Sequence, residues 1–126
     1  MSNIELLEKT LPVAPLKIVA MESCRELGQK VNDYIVSFRE NTVSEASVSS
    51  LYVNYRSNNY LVDCCCPRFG TGEAKGVLRE TIRGTDLFIM TDVCNYSLTY
   101  SVSGHLNHMS PDDHFQDLKR IIAAIG

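Results

Sequence analysis

The sequence predicts an α/β domain of three layers, a largely parallel sheet flanked by helices, with a β-hairpin or flap projecting from it. Three observations predict this. Two short unbroken apolar runs, LKIVAM over residues 16–21 and DLFIMTDV over residues 86–93, have the composition of strands buried in a parallel sheet. Amphipathic helical patterns stand beside them, over residues 23–38 and 110–125. A glycine-bearing stretch lies between the two runs, CPRFGTGEAKG over residues 66–76. The length of 126 residues and the apolar content of 44% suit one domain, residues 1–126, with a core that needs no disulfide or metal.

Each element has a local reason. Pro12 and Pro15 stiffen the entry to the first strand. Ser23 and Glu26 have the spacing of a capping box, and Leu27, Val31, Tyr34, Ile35 and Phe38 recur at helical spacing as the apolar stripe of the first helix. Residues 41–50, rich in Ser, Glu and Thr, read as a mobile connection. Residues 51–55 and 60–66 read as two strands with Ser57-Asn58-Asn59 as a hairpin signal, because Asn tolerates positive φ. Residues 74–82 alternate less cleanly and Arg83-Gly84 closes them. Residues 94–109 predict a long loop without regular structure. Ser110-Pro111-Asp112-Asp113 is a helix start, with a hydroxyl cap, proline at the first helical position and acids at the positive end of the dipole. Phe115, Leu118, Ile121, Ile122 and Ile125 form the expected buried stripe of that helix. A strand followed by a crossover helix normally delivers the chain to another parallel strand, so the pattern predicts a truncated piece of something longer.

Several function classes are disfavoured. A net charge of −3 with no basic run argues against nucleic acid as partner. No apolar run reaches the roughly 20 residues of a membrane span, and the N-terminus lacks the pattern of an export signal, so the expectation is a cytoplasmic protein without membrane contact. The five cysteines are expected to be reduced. Cys64, Cys65 and Cys66 alternate across a strand and read as packing groups. His105, His108 and His114 with Cys94 lack tight ligand spacing, which disfavours a metal site. Asp92, at the end of an apolar strand, suits either a ligand crevice or a loop cap, and the cap is preferred. Tyr52, Tyr55 and Tyr60 read as hairpin packing in preference to a stacking platform.

Gly70, Gly72 and Gly76 give G-x-G-x-x-x-G, near the dinucleotide fingerprint. That fingerprint needs a helix to follow, and residues 75–81 (KGVLRET) carry no helical stripe, while the Gly-Lys-Ser/Thr of a Walker loop is missing. The glycines therefore read as turn residues that aim Phe69 and Glu73 outward. For an isolated chain, Phe69 as core and Glu73 as a solvated turn residue is the competing reading.

Arg68-Phe69-Gly70-Thr71-Gly72-Glu73, followed ten residues after the glutamate by Arg83-Gly84-Thr85-Asp86-Leu87-Phe88-Ile89, resembles the R-F-x-D-G-E … V-R-G-x-D-x-F-I pattern of ribose-phosphate pyrophosphokinases. The order of the later strand and the closing helix is similar to the amino-terminal half of that family, and the longer segments at 39–66 and 95–109 look like a divergent bacterial branch. The resemblance implies a phosphoribosyltransferase-like fold and an enzyme that moves diphosphate from ATP to ribose 5-phosphate with Mg²⁺, in a homo-oligomer. It implies adenine contacts to a neighbouring subunit's ATP from Phe69, Thr71 and Glu73, with Thr71 standing where the family has Asp or Asn. It further implies a regulatory phosphate site at Thr81 and Arg83. The family's catalytic loops lie beyond Gly126, which implies no catalytic residue and no activity in these 126 residues alone. A non-catalytic interaction or regulatory module of the same assembly is the alternative.

Overall fold

A computed structural model describes residues 13–44 and 56–126. Its elements in chain order are β1 (Leu16–Ala20), a 3-10 turn (Glu22–Cys24), α1 (Arg25–Ser44), β2 (Leu61–Val62), β3 (Cys64–Cys65), β4 (Val77–Leu78), β5 (Asp86–Met90), β6 (Thr99–Val102), β7 (His105–His108) and α2 (Pro111–Ile125). The main sheet has the order β2-β1-β5, and both pairings are parallel. Ile18 lies opposite Leu61 and Phe88, and Val19 opposite Val62 and Ile89. The expected α/β architecture is present: a parallel sheet with two helices.

Alternation along β1 explains the layers. Val19 is fully buried among Met21, Val62, Cys64 and the α2 residue Ile121, with Leu87, Ile89, Leu118 and Ile125 packed at the margin. Neighbouring strand residues point to opposite faces, and on the other face Ala20 and Leu61 meet α1 at Gly28. A Cβ at position 28 would overlap the Ala20 Cβ, so the helix reaches the sheet at this distance only because glycine stands there.

That close approach corrects two expectations. Helix α1 turns Gly28 and Asn32 to the sheet, and the apolar stripe lies beside this face: Leu27, Tyr34 and Phe38 are exposed, with the rings of Tyr34 and Phe38 stacked 6.2 Å apart. Asn32 is buried because its Oδ1 accepts the Tyr60 N–H at 2.7 Å, which fixes the entry to β2. Ser23 does not cap α1. It lies in the 3-10 turn, where its hydroxyl accepts the Asp92 N–H at 2.9 Å and its carbonyl accepts Asn95 Nδ2 at 2.9 Å. The serine therefore ties the end of β1 to the end of β5.

The other segments differ from expectation in definite ways. Residues 41–44 continue α1, while the rest of the expected connection and the strand at 51–55 lie outside the described residues. The expected strand at 60–66 divides at Asp63: β2 joins the main sheet, and β3 pairs antiparallel with β4, Cys64 opposite Leu78. Asn59 does act as a turn residue, its side chain accepting the Leu61 N–H. Strand β5 has one partner in the sheet among the described residues and leaves Phe88 57% exposed, so it is an edge and not a buried strand. Residues 94–109 are not irregular, because β6 and β7 form an antiparallel hairpin closed by Ser103 and Gly104, both at positive φ.

Helix α2 starts as its sequence dictates. Ser110 Oγ accepts the Asp113 N–H at 3.1 Å, the Asp113 carboxylate accepts the Ser110 N–H at 2.9 Å, and Pro111 opens the helix. Its buried face carries His114, Asp117 and Ile121, whereas Phe115 and Ile122 are about half exposed. No helix among the described residues is long and apolar enough to cross a membrane.

Two substitutions test this core. Gly28→Ala pushes α1 off β1 and lowers the urea-unfolding free energy by about 1–3 kcal/mol, the cost of overpacking. Ile121→Ala empties a fully enclosed site and costs about 2–5 kcal/mol in the same measurement.

Candidate functional site

The candidate site is the tip of the β3–β4 hairpin. Cys64 and Cys65 pair with Leu78 and Val77, and the intervening residues 66–76 hold the glycine stretch. A further bridge joins Arg68 to Ala74. The turn closes through Gly72 N–H to the Phe69 carbonyl at 2.9 Å and Phe69 N–H to the Glu73 carbonyl at 2.6 Å. Gly72 takes φ +88°, a left-handed conformation that costs glycine little and allows a four-residue turn to rejoin the strand direction.

This geometry sets side-chain directions. Phe69 is 51% exposed, and Thr71 and Glu73 are exposed. The bend therefore presents an aromatic face, a hydroxyl and a carboxylate together, and none of them lies in the core. The reading of Phe69 as core does not hold. Thr81 and Arg83 lie on a different segment, the β4–β5 connection, where both are exposed and the Arg83 N–H reaches Thr81 Oγ1 at 3.5 Å. The turn there is closed by Thr85, whose hydroxyl donates to the Ile82 carbonyl at 2.7 Å.

The bend is anchored by residues that periodicity alone did not single out. Arg68 Nη2 pairs with Asp117 Oδ2 at 3.0 Å, and Arg120 Nη1 pairs with Asp117 Oδ1 at 2.7 Å. The Arg68 and Asp117 side chains are only 11% and 8% exposed. On its other side, the Arg68 guanidinium lies over the Tyr100 ring of β6, 4.5 Å from the centroid. Val102 of the same hairpin stands where a Cβ on Gly72 would make contact at 3.5 Å. Asp117 lies off the stripe expected from the sequence, and only the buried face of α2, His114, Asp117 and Ile121, shows it as a charge that needs a partner.

The remaining candidates resolve locally. Asp92 is a loop cap, its Oδ1 accepting the Cys94 N–H at 2.9 Å. His114 Nε2 donates to the Asn95 carbonyl at 2.6 Å, and His108 Nδ1 donates to the Tyr96 carbonyl at 2.9 Å while its ring stacks on Tyr96. Among the described residues no group of three or more His, Cys, Asp and Glu could hold a metal ion. Tyr60 is buried and its hydroxyl accepts from Arg39 Nη1 and Ser57 N–H, whereas Tyr52 and Tyr55 lie outside the described residues.

All five cysteines are free thiols. Burial pushes the Cys24 and Cys64 thiols above their usual range. Cys66, beside α2, is pushed up to about 12, by burial first and by the nearby Asp117 carboxylate second. In the unfolded chain Cys66 ionises near its ordinary value, so the folded state holds its proton to higher pH. Its contribution to stability is complete below about pH 9 and is lost as pH rises towards 12.

The family model that describes the N-terminal domain of ribose phosphate pyrophosphokinase matches residues 16–126. No curated protein and no solved structure matches the chain.

Thiol accessibility checks this arrangement. At pH 8, iodoacetamide modifies exposed Cys94 first and leaves Cys64 and Cys66 unmodified until the chain is unfolded, as read by peptide mass mapping.

Proposed function

The chain belongs to the family of N-terminal domains of ribose phosphate pyrophosphokinase, and on that footing we propose that it forms the amino-terminal part of an enzyme transferring diphosphate from ATP to ribose 5-phosphate. The products are phosphoribosyl pyrophosphate and AMP, the setting is cytoplasmic nucleotide biosynthesis, and the working form is a homo-oligomer in which one subunit's hairpin completes its neighbour's ATP site. The observation that carries this reading is the outward presentation of Phe69 and Glu73 from one bend in a chain of this family.

The chemistry of the tip suits adenine. The Phe69 face offers a stacking surface for a purine, the Glu73 carboxylate can accept the exocyclic amine, and the Thr71 hydroxyl can donate or accept beside them. Thr71 is one methyl larger than a plain hydroxymethyl group and carries no charge, so it supports this contact more weakly than an acid would. Arg83 offers a guanidinium that can hold phosphate through two parallel hydrogen bonds, with Thr81 next to it, as a regulatory phosphate site. Mg²⁺ is assigned to the full enzyme with its ATP. Among the described residues of this chain no group of three or more His, Cys, Asp and Glu offers it a site.

A second reading, a non-catalytic partner of the same assembly, is favoured by Thr71 at the position where the family pattern has Asp or Asn. Coding sequence beyond Gly126 that supplies a further strand and the basic, glutamine-containing loop supports the enzyme, and a stop codon supports the partner.

Two assays test the proposal. Residues 1–126 alone, given ATP, Mg²⁺ and ribose 5-phosphate, release no AMP above background. In the whole enzyme Phe69→Ala raises the KM for ATP by about tenfold, the equivalent of roughly 1.4 kcal/mol of lost stacking, and leaves the KM for ribose 5-phosphate unchanged. Equal changes in both constants overturn the adenine assignment.

A further inference from the structure

We propose that Arg68 is a positioning residue, wedged between the Asp117 carboxylate and the Tyr100 ring so that its guanidinium fixes the angle at which Phe69 and Glu73 are presented to a planar, amine-bearing base. The base as ligand rests on the adenine reading above; the wedge itself rests on geometry alone.

Arg68 is adjacent to Phe69 in the chain and its side chain also contacts Gly72 across the turn, so its anchorage to α2 is one peptide bond from the bend. Three groups hold the guanidinium. Asp117 Oδ2 fixes Nη2 at 3.0 Å, the Gly72 carbonyl accepts from Nη1 at 3.5 Å, and the guanidinium carbon lies over the Tyr100 ring, 4.5 Å from its centroid. The first group belongs to α2, the second to the bend itself and the third to the β6–β7 hairpin. Arginine alone has the shape for this: a flat cation whose edge takes hydrogen bonds while its face stacks on an aromatic ring. Arg120 takes the other oxygen of Asp117 at 2.7 Å from one turn along the same helix, so it shares the carboxylate's charge while Oδ2 alone holds Arg68.

Removing the wedge leaves the turn hydrogen bonds in place but frees the tip to rock. Stability and positioning then separate experimentally. A group that only stabilises the fold changes the melting temperature and leaves the folded tip rigid. A positioning group changes the motion of the tip at temperatures where the chain is fully folded.

Residues 1–126 contain no tryptophan, so in them Phe69→Trp places a single fluorescent reporter at the tip, and in the whole enzyme its signal is the difference from the Phe69 parent. Nanosecond anisotropy decay of that reporter, without nucleotide, is compared across Asp117→Asn, Asp117→Glu, Arg68→Lys, Tyr100→Leu and Arg120→Gln. We expect the amplitude of fast motion to rise about twofold or more in Asp117→Asn, Arg68→Lys and Tyr100→Leu, at the nanosecond end of loop motion, which this decay reads. Arg120→Gln leaves it unchanged. Tyr100→Leu leaves no buried charge without a partner, so it carries the test if Asp117→Asn fails to fold; Asp117→Glu, which keeps the charge but displaces it by one methylene, raises the amplitude as well. An unchanged decay in folded Tyr100→Leu and Arg68→Lys overturns the proposal, as does an equal rise in Arg120→Gln. A loosened tip together with no ATP response of the reporter in the whole enzyme refutes the adenine reading and leaves the wedge standing. A rigid tip that responds to ATP does the reverse.

Discussion

Everything in this fold is referred to β1. Ile18 and Val19 pair on one side with β2, all five of its residues pair on the other with β5, and its two faces meet α1 and α2. A strand enclosed in this way has no freedom of register, because a slip of one residue would exchange Ala20 for Val19 against the helix that needs a small side chain. The short apolar run LKIVAM is thus the datum from which the two helices and the other strands take their positions.

The path from β1 to the candidate site is short. Ile121 packs on Val19, which seats α2; four residues earlier in the same helix, Asp117 grips Arg68; and Arg68 adjoins the turn that exposes Phe69. Burial of the ion pair costs solvation, and the second arginine together with the ring of Tyr100 helps to offset that cost. The charged cluster is accordingly weak as a source of stability and strong as a source of direction, because a half-satisfied arrangement of these groups is far worse than the native one.

Much of this was legible in the residues. Ser110-Pro111 and the acids after it determine a helix start by local chemistry, and the β1 run reads correctly as a buried strand, whereas the like run of β5 does not, because its neighbours in the sheet decide that. The outward aim of Phe69 followed from glycines at 70 and 72, which the turn bears out. What failed, failed for tertiary reasons. Helical spacing shows that Leu27, Tyr34 and Phe38 share a stripe, but whether that stripe meets the sheet depends on Gly28 finding Ala20, a contact between segments. Ser23 had the spacing of a cap and was used instead to hold Asp92, some seventy residues away. The hairpin at 99–108 carried a glycine at its turn, Gly104, but Ser103 stands at φ 50° where Asn or Gly is usual, and His105–His108 has one apolar residue to mark it as a strand. Asp117 stands beside the apolar stripe of its helix, and only burial against Arg68 and Arg120 reveals its use.

The division of one extended stretch at Asp63 has a mechanical consequence. Residues 61–62 belong to the central sheet and 64–65 to the hairpin, so a single residue separates the two. Such a joint has no slack. A load applied to the projecting end is not absorbed by an intervening coil but passes as a pull along the backbone into the β1–β2 ladder, which makes the projection a stiff lever whose fulcrum is the interior of the domain.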